Sequence, residues 1–392
     1  MEKTVYVGLV EVGSLAEMRA RSYRLLGEHR AKIVGIASRT QSRAQEYAKR
    51  HGVPRVFDSY QELLEQPEID VVDLCVPNSQ HKPMVIAAAK AGKHVICTKP
   101  LTAYCGEPGE DLANVPRRQM LQSVVADANE MVEAARENGV KLMYAENWVY
   151  TPSIQKARRL AEASQGTILE ISGGESHSGS PFPDSKEWAH TGGGSLLRMG
   201  AHPIGAALYL KRVEGVSRDG SPIRPQSVVA EVGYLERIPS RRLEAKQWMV
   251  TGRVDVEDWG VVVVTFSDGS KAILRGTDTV LGGMESSLEI FMSNARIQCQ
   301  MSPTNLVQAY APDPAVFGDE YMMEKVETKA GWGYPAPDEE WTLGQHQQVA
   351  DFVEALTEDR DPLSTGELGR DVVAVAYSGY VSAEEGRRVE VP

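Results

Sequence analysis

Short apolar runs recur between stretches of helical spacing in the first 145 residues, and that alternation restricts the fold more than any other feature. The runs cover residues 5–12, 32–37, 55–57, 69–76, 95–97 and 141–145. Helical spacing fills 13–27, 42–51, 60–66, 82–91 and 126–137, the last two closed by Gly92 and by Asn138-Gly139. Strands alternating with helices of about 10 residues make βαβ units and a parallel sheet. Right-handed crossovers then make that sheet doubly wound. The chain is read as α/β, with a Rossmann-like domain over residues 1–150 that carries an insertion at 103–123. The Gly, Pro and charges of that insertion mark a loop, placed to act as a lid or an oligomer arm.

The pattern changes at Ser153. A helix over 153–163 leads to strands over 167–173, 228–235, 253–265 and 270–277, with Ser267-Asp268-Gly269 as a hairpin turn. A second hairpin, 287–292 with 297–301, turns at Ser293-Asn294. Residues 151–392 therefore predict an α+β domain with a large, mostly antiparallel sheet, and a helix over 345–356 that packs back on the first domain. The net charge of −12 argues against a nucleic-acid surface, which needs clustered cations. No apolar run approaches the roughly 20 residues that span a bilayer. Cys75, Cys97, Cys105 and Cys299 show no metal-binding spacing, no metal is expected, and a cytoplasmic protein with reduced thiols is the simplest placement. The N-terminal Met-Glu-Lys-Thr does not read as a signal peptide.

Lys99 stands where the apolar run 95–97 ends, and Pro100 stops that strand. Ligands bind at this edge of an open α/β sheet. A lysine there, with its pKa lowered by burial or a neighbouring cation, works as a proton donor or base. The segment Glu11-Val12-Gly13-Ser14-Leu15-Ala16 matches a dinucleotide fingerprint at Gly13 and Ala16, but Glu11 replaces the first glycine. Gly13, Ser14 and Leu15 are the expected pyrophosphate contacts; either Glu11 turns aside, towards Arg19, or nucleotide binding is impaired. The second strand ends in Ser38-Arg39-Thr40, with Arg43 beyond and no acid at the tip. A hydroxyl and guanidinium groups suit a 2′-phosphate, which favours NADP over NAD through Ser38, Arg39 and Arg43.

Val76-Pro77-Asn78 with His81, the run Gly92 to Leu101, Gly192-Gly193-Gly194, Gly200, His202 and the tail 345–363 resemble the glucose–fructose oxidoreductase and inositol dehydrogenase family (Gfo/Idh/MocA) over essentially the whole chain. The resemblance implies a hydride-transferring oxidoreductase acting on sugars or polyols with a nicotinamide cofactor. It implies that Lys99 meets both cofactor and substrate, and that His202 is an acid/base or hydroxyl ligand. Pro77, Asn78, His81 and Thr98 are the matching cofactor-side positions, with Asn147 added by its place after a strand. It also implies a homo-oligomer formed through the C-terminal sheet.

Three positions depart from the family pattern: Glu11, Thr98 in place of the motif glutamate, and Arg198 in place of an aspartate one helical turn before His202. On one continuous helix, residues 198 and 202 share a face. Arg198 then disfavours the His202 imidazolium and builds, with Lys99, a cationic site for an anionic sugar. Proton transfer passes to Tyr144, a phenol whose pKa two or three cations would lower. The loop at 175–190 is expected to cover the substrate, with His177 or Trp188 against a sugar face. The leading reading is an NAD(P)-dependent oxidoreductase acting on a secondary hydroxyl of a sugar. Its rivals are an NAD-dependent glycosidase that transiently oxidises an acidic sugar glycoside, and a non-catalytic sugar-binding or regulatory member.

Overall fold

The computed structural model describes residues 3–107, 109–302 and 307–392; Met1 and Glu2 of the N-terminal stretch and Pro108 of the insertion lie outside it. Strands β1 (Val5–Val10), β2 (Ala31–Ala37), β3 (Val56–Phe57), β4 (Val71–Leu74), β5 (His94–Thr98) and β6 (Leu142–Ala145) form one sheet. Their order is β3-β2-β1-β4-β5-β6, and every pairing is parallel. All of β4 and β6 is buried, as strands covered by helices on both faces must be. The strand order reverses between β1 and β4, which opens a crevice at their carboxyl ends.

The second sheet holds β7 (Ile168–Ser176), β8 (Pro225–Gly233), β9 (Trp259–Phe266), β10 (Lys271–Thr277), β11 (Glu285–Met292) and β12 (Arg296–Gln300). After the short pair β13 (Ala309–Ala311) and β14 (Gly331–Gly333), β15 (Val389–Glu390) completes the order β12-β11-β7-β10-β9-β8-β15. Its pairings are antiparallel except β7 with β10. One face is packed: Val262, Val264 and Phe266 alternate inward along β9, and the helix Gly366–Glu385 lies against β8.

Three local expectations change. The strand expected from residue 253 starts only at Trp259, because side chains hold the preceding residues as a loop. Arg253 pairs with Glu236 and Asp278, and the Asp258 carboxylate accepts from the amides of Leu235 and Glu236. The helix expected over 126–137 begins at Arg117, just after Pro116, whose fixed φ suits a helix start. Much of the insertion is thus anchored rather than a free lid. Leu112 is buried, the Tyr104 amide donates to Tyr377 Oη at 2.8 Å, and Arg118 pairs with Glu385. The helix Gln345–Thr357 lies against the helix Ser14–Leu26. The four cysteines are free thiols. Among the described residues no helix is long and apolar enough to cross a membrane.

Candidate active site

Four titratable side chains are delivered to one place by the carboxyl ends of strands from both sheets. Lys99 follows β5, Glu146 follows β6, Glu175 is the next-to-last residue of β7, and His202 opens the helix Ala201–Asp219. The Lys99 ammonium donates to the carbonyl of Arg198. Burial pulls its pKa below the ordinary lysine value, against the raising effect of Glu175 and Glu146. His202 Nδ1 lies 2.6 Å from Glu146 Oε1, its ring stacks on Trp148 with centroids 6.1 Å apart, and Nε2 has no protein partner among the described residues. Glu146 is wholly buried, and its Oε2 has no hydrogen-bond partner among the described residues. Glu175 is 5% exposed, and burial pushes its carboxyl up while the charges of His202 and Lys99 hold it back. A Cβ on Gly205 would stand 2.7 Å from Glu146 Cγ, so the glycine lets the His202 helix sit against that carboxylate.

Arg198 and His202 are not one helix face. A short helix, Ser195–Arg198, ends at Met199, and a new one starts at Ala201. The interruption falls at Met199 and Gly200, where the backbone lies against Gly276 of β10: a Cβ on Gly276 would meet Gly200 N at 2.5 Å. Arg198 therefore turns to the fully buried Asp278, donating to both oxygens at 2.9 and 3.0 Å. Arg253 binds the same carboxylate at 2.9 Å and Glu236 at 3.0 Å, so two guanidiniums face two carboxylates. The expected free cation at 198 does not form, and Glu146 supplies the acid beside His202.

Other expected site residues have structural partners. Tyr144 is the exception: it is fully buried, its hydroxyl has no partner among the described residues, and burial followed by the Glu146 charge raises its pKa, opposite to a cation-activated phenol. Trp188 is 2% exposed, its Nε1 donates to the Tyr104 carbonyl at 3.0 Å, and Arg117 stacks over its ring, so it anchors the insertion rather than facing a sugar. His81 is buried between the carbonyls of Pro100 (3.0 Å), Leu101 (3.2 Å) and Val76 (3.1 Å), clasping the ends of β4 and β5 together. Asn78 Nδ2 donates to Thr191 O and Asn147 Nδ2 to Leu343 O, both tying loops across the cleft. Thr98 closes β5, half-buried.

His177 is also a structural acceptor. Its Nδ1 receives the Gly179 amide at 2.8 Å, and it is 7% exposed. Burial pulls its pKa from 6.5 down to about 4; Asp278 opposes that shift, and the charges of Lys325, Arg198 and Lys99 add to it. Below pH 6.5 the unfolded chain takes up a proton that the folded chain refuses until about pH 4, so stability falls as pH drops through that window. We expect a loss of up to about 3 kcal/mol between those limits. Denaturant melts at each pH check it: His177→Gln should flatten the slope, and an unchanged slope contradicts this assignment.

The crevice at the strand-order reversal is a cleft of about 500 Å³, lined by the end of β1 with Glu11, by Ser38 and Arg39 after β2, and by Val76, Pro77 and Met84. Glu11 points not to Arg19 but to the β2 tip, where Ser38 Oγ (2.9 Å), Arg39 N (2.9 Å) and Arg39 Nε (3.1 Å) donate to it. Two of the three groups expected to receive a 2′-phosphate, Ser38 and Arg39, are thus held by a carboxylate. Gly13 precedes the helix Ser14–Leu26, whose first amides, at Ser14 and Leu15, face no side-chain cap, and Arg43 reaches Val12 O at 3.4 Å. Glu146, Glu175 and Asp278 escaped the sequence reading. The usable signal was an acid directly after or at the end of a strand, in Tyr144-Ala145-Glu146 and Gly174-Glu175.

Two family models match this chain. The oxidoreductase family with an NAD-binding Rossmann fold matches residues 5–146, and the GFO/IDH/MocA C-terminal domain matches residues 154–298. Myo-inositol 2-dehydrogenase of Thermotoga maritima is 23% identical over 393 residues, 98% of each chain. Trans-1,2-dihydrobenzene-1,2-diol dehydrogenase of Sus scrofa is 30% identical over 196 residues, 50% of this chain and 52% of that one. Among solved structures, GenD2 from gentamicin A biosynthesis in complex with NAD has a TM-score of 0.79 at 23% identity, covering 100% of this chain and 97% of its own. Levoglucosan dehydrogenase in complex with NADH has a TM-score of 0.74 at 22% identity over 100% of both chains.

Proposed function

The chain belongs to the Gfo/Idh/MocA oxidoreductase family, and we propose that it moves a hydride between NAD(H) and a secondary hydroxyl of a neutral, polyhydroxylated ring. The convergence of Lys99, the His202–Glu146 pair and Glu175 at the strand ends carries this reading. The strand-reversal cleft fits a dinucleotide: it pairs an apolar slot at Val76, Pro77 and Met84 with polar groups at Glu11 and Ser38. The amides of Ser14 and Leu15 would hold the phosphates at a helix N-terminus. When bound, the nicotinamide supplies the hydride acceptor.

The side chains supply the proton chemistry. With Nδ1 bonded to Glu146, the other ring nitrogen of His202 is the lone pair that takes the substrate hydroxyl proton. Glu146 fixes that tautomer and stabilises the imidazolium as it forms. Lys99 donates to the same substrate oxygen and favours the charge that develops there. Glu175 accepts from a neighbouring ring hydroxyl. Asp278 and Glu236 neutralise Arg198 and Arg253, so neither a carboxylated sugar nor an acidic glycoside gains a free cation. On the open face of the second sheet Val229, Val263 and Ile273 align across three adjacent strands, and there we place a second copy of the chain.

A substrate panel followed by NADH absorbance tests the reading. Neutral cyclic polyols and pyranoses should exceed their carboxylated counterparts in kcat/KM by about 10-fold or more. The reverse order removes the neutral-substrate claim, and no turnover with any secondary alcohol on the panel removes the dehydrogenase itself.

A further inference from the structure

Glu11 occupies a position that a side chain enters at a cost. Its φ of +69° lies in the left-handed region that glycine favours. The usual reason for a glycine there is a tight turn with no Cβ in the way of the nucleotide. Here the turn keeps the glycine-like backbone and adds a carboxylate, which runs to the tip of β2 and is anchored by three donors. The tip itself carries no acid, since its residues are Ser38, Arg39 and Thr40. In a dinucleotide-binding crevice an acid at this tip accepts from the hydroxyls of the adenosine ribose. The position normally filled from the second strand is therefore filled from the first turn.

Resting on the reading that the chain binds a dinucleotide, we propose that Glu11 is the residue that reads the adenosine ribose and selects a dinucleotide with a free 2′-hydroxyl over its 2′-phosphate. After its three contacts to Ser38 and Arg39 the carboxylate keeps one of its roughly four acceptor sites, on Oε2, for a ribose hydroxyl. A 2′-phosphate would bring two negative charges against it at close range. Arg39, the guanidinium at the tip, is already committed to Glu11 at 3.1 Å and stands 81% exposed to screening solvent, and Arg43 donates to Val12 O at 3.4 Å. Asp58, which also lines the cleft, adds a further negative charge. Burial alone would raise the pKa of Glu11, but the Arg39 amide, the Ser38 hydroxyl and the guanidinium hold it below the ordinary value, which keeps the acid ionised.

The test is equilibrium binding, by calorimetry on the purified full chain, of NAD+ and NADP+ to the wild type, Glu11→Gly and Glu11→Gln. The glycine variant suits the left-handed backbone and so guards against misfolding, while the glutamine variant keeps the shape and removes the charge. The wild type should prefer NAD+, and both variants should narrow the NAD+/NADP+ affinity ratio by about 10-fold or more. A ratio unchanged in both variants, or a wild type that prefers NADP+, overturns the assignment to Glu11. No binding of either dinucleotide to the wild type or to Glu11→Gly overturns the dinucleotide reading beneath it.

Discussion

His202→Asn is expected to lower kcat for alcohol oxidation by about 10²–10⁴-fold, the usual contribution of a positioned general base. The expectation follows from the two nitrogens having different neighbours. Nδ1 is held 2.6 Å from a wholly buried carboxylate, and Nε2 faces no protein group among the described residues. Asparagine keeps a polar group near Glu146 and removes the proton acceptor. Dinucleotide affinity should change little, because the crevice at β1 and β4 is built from other residues. Glu146→Gln should give an intermediate loss and shift the pH dependence of kcat, since a neutral amide no longer stabilises the imidazolium. Lys99→Met should lose turnover of similar order, because the charge that develops on the substrate oxygen then has no ammonium beside it. Steady-state kinetics across pH, with nucleotide binding measured separately, checks all three. Turnover within about 3-fold of wild type for His202→Asn would remove it from the chemistry.

The second large effect is on stability. Asp73→Ala should cost about 3–5 kcal/mol, the range for removing one partner of a buried ion pair. Asp73 and Arg19 are each 1% exposed, with Nε 3.3 Å from Oδ2, and Tyr23 donates to the same carboxylate at 3.1 Å. Arg19 also reaches Gln348 Oε1 at 2.9 Å, so the alanine variant leaves a guanidinium with a neutral amide as its remaining partner. The double replacement Arg19→Met with Asp73→Leu should cost much less, because it removes both charges. Guanidinium unfolding of the three proteins decides it, and a single variant no less stable than the double contradicts the pairing. The pair matters to function because Arg19 belongs to the helix that begins at Ser14, beside the crevice.

Some strand ends were legible because the apolar run stops at a proline, as at Pro77 and Pro100. Lys99 before Pro100 was placed at a sheet edge on that ground alone, and it sits there. His202 came from the motif series and lies in the same cluster. Tyr144 was misread because a phenol at a strand end looks the same in sequence whether its hydroxyl faces cations or the core. Arg198 was misread because spacing of four implies a shared face only on one continuous helix, and here one helix ends at Arg198 and the next begins at Ala201.

What the sequence by itself determined is the part fixed by short-range rules: periodicity, turn residues, and the alternation that forces a doubly wound sheet followed by an antiparallel one. Which charges meet was decided only by tertiary structure. Glu11 with Arg39, Glu146 with His202 and Arg198 with Asp278 are separated by 28, 56 and 80 residues. Which groups meet depends on the fold bringing distant positions together, and where both are largely buried, as with Arg198 and Asp278, an unpaired charge would be costly; no local pattern encodes the partners.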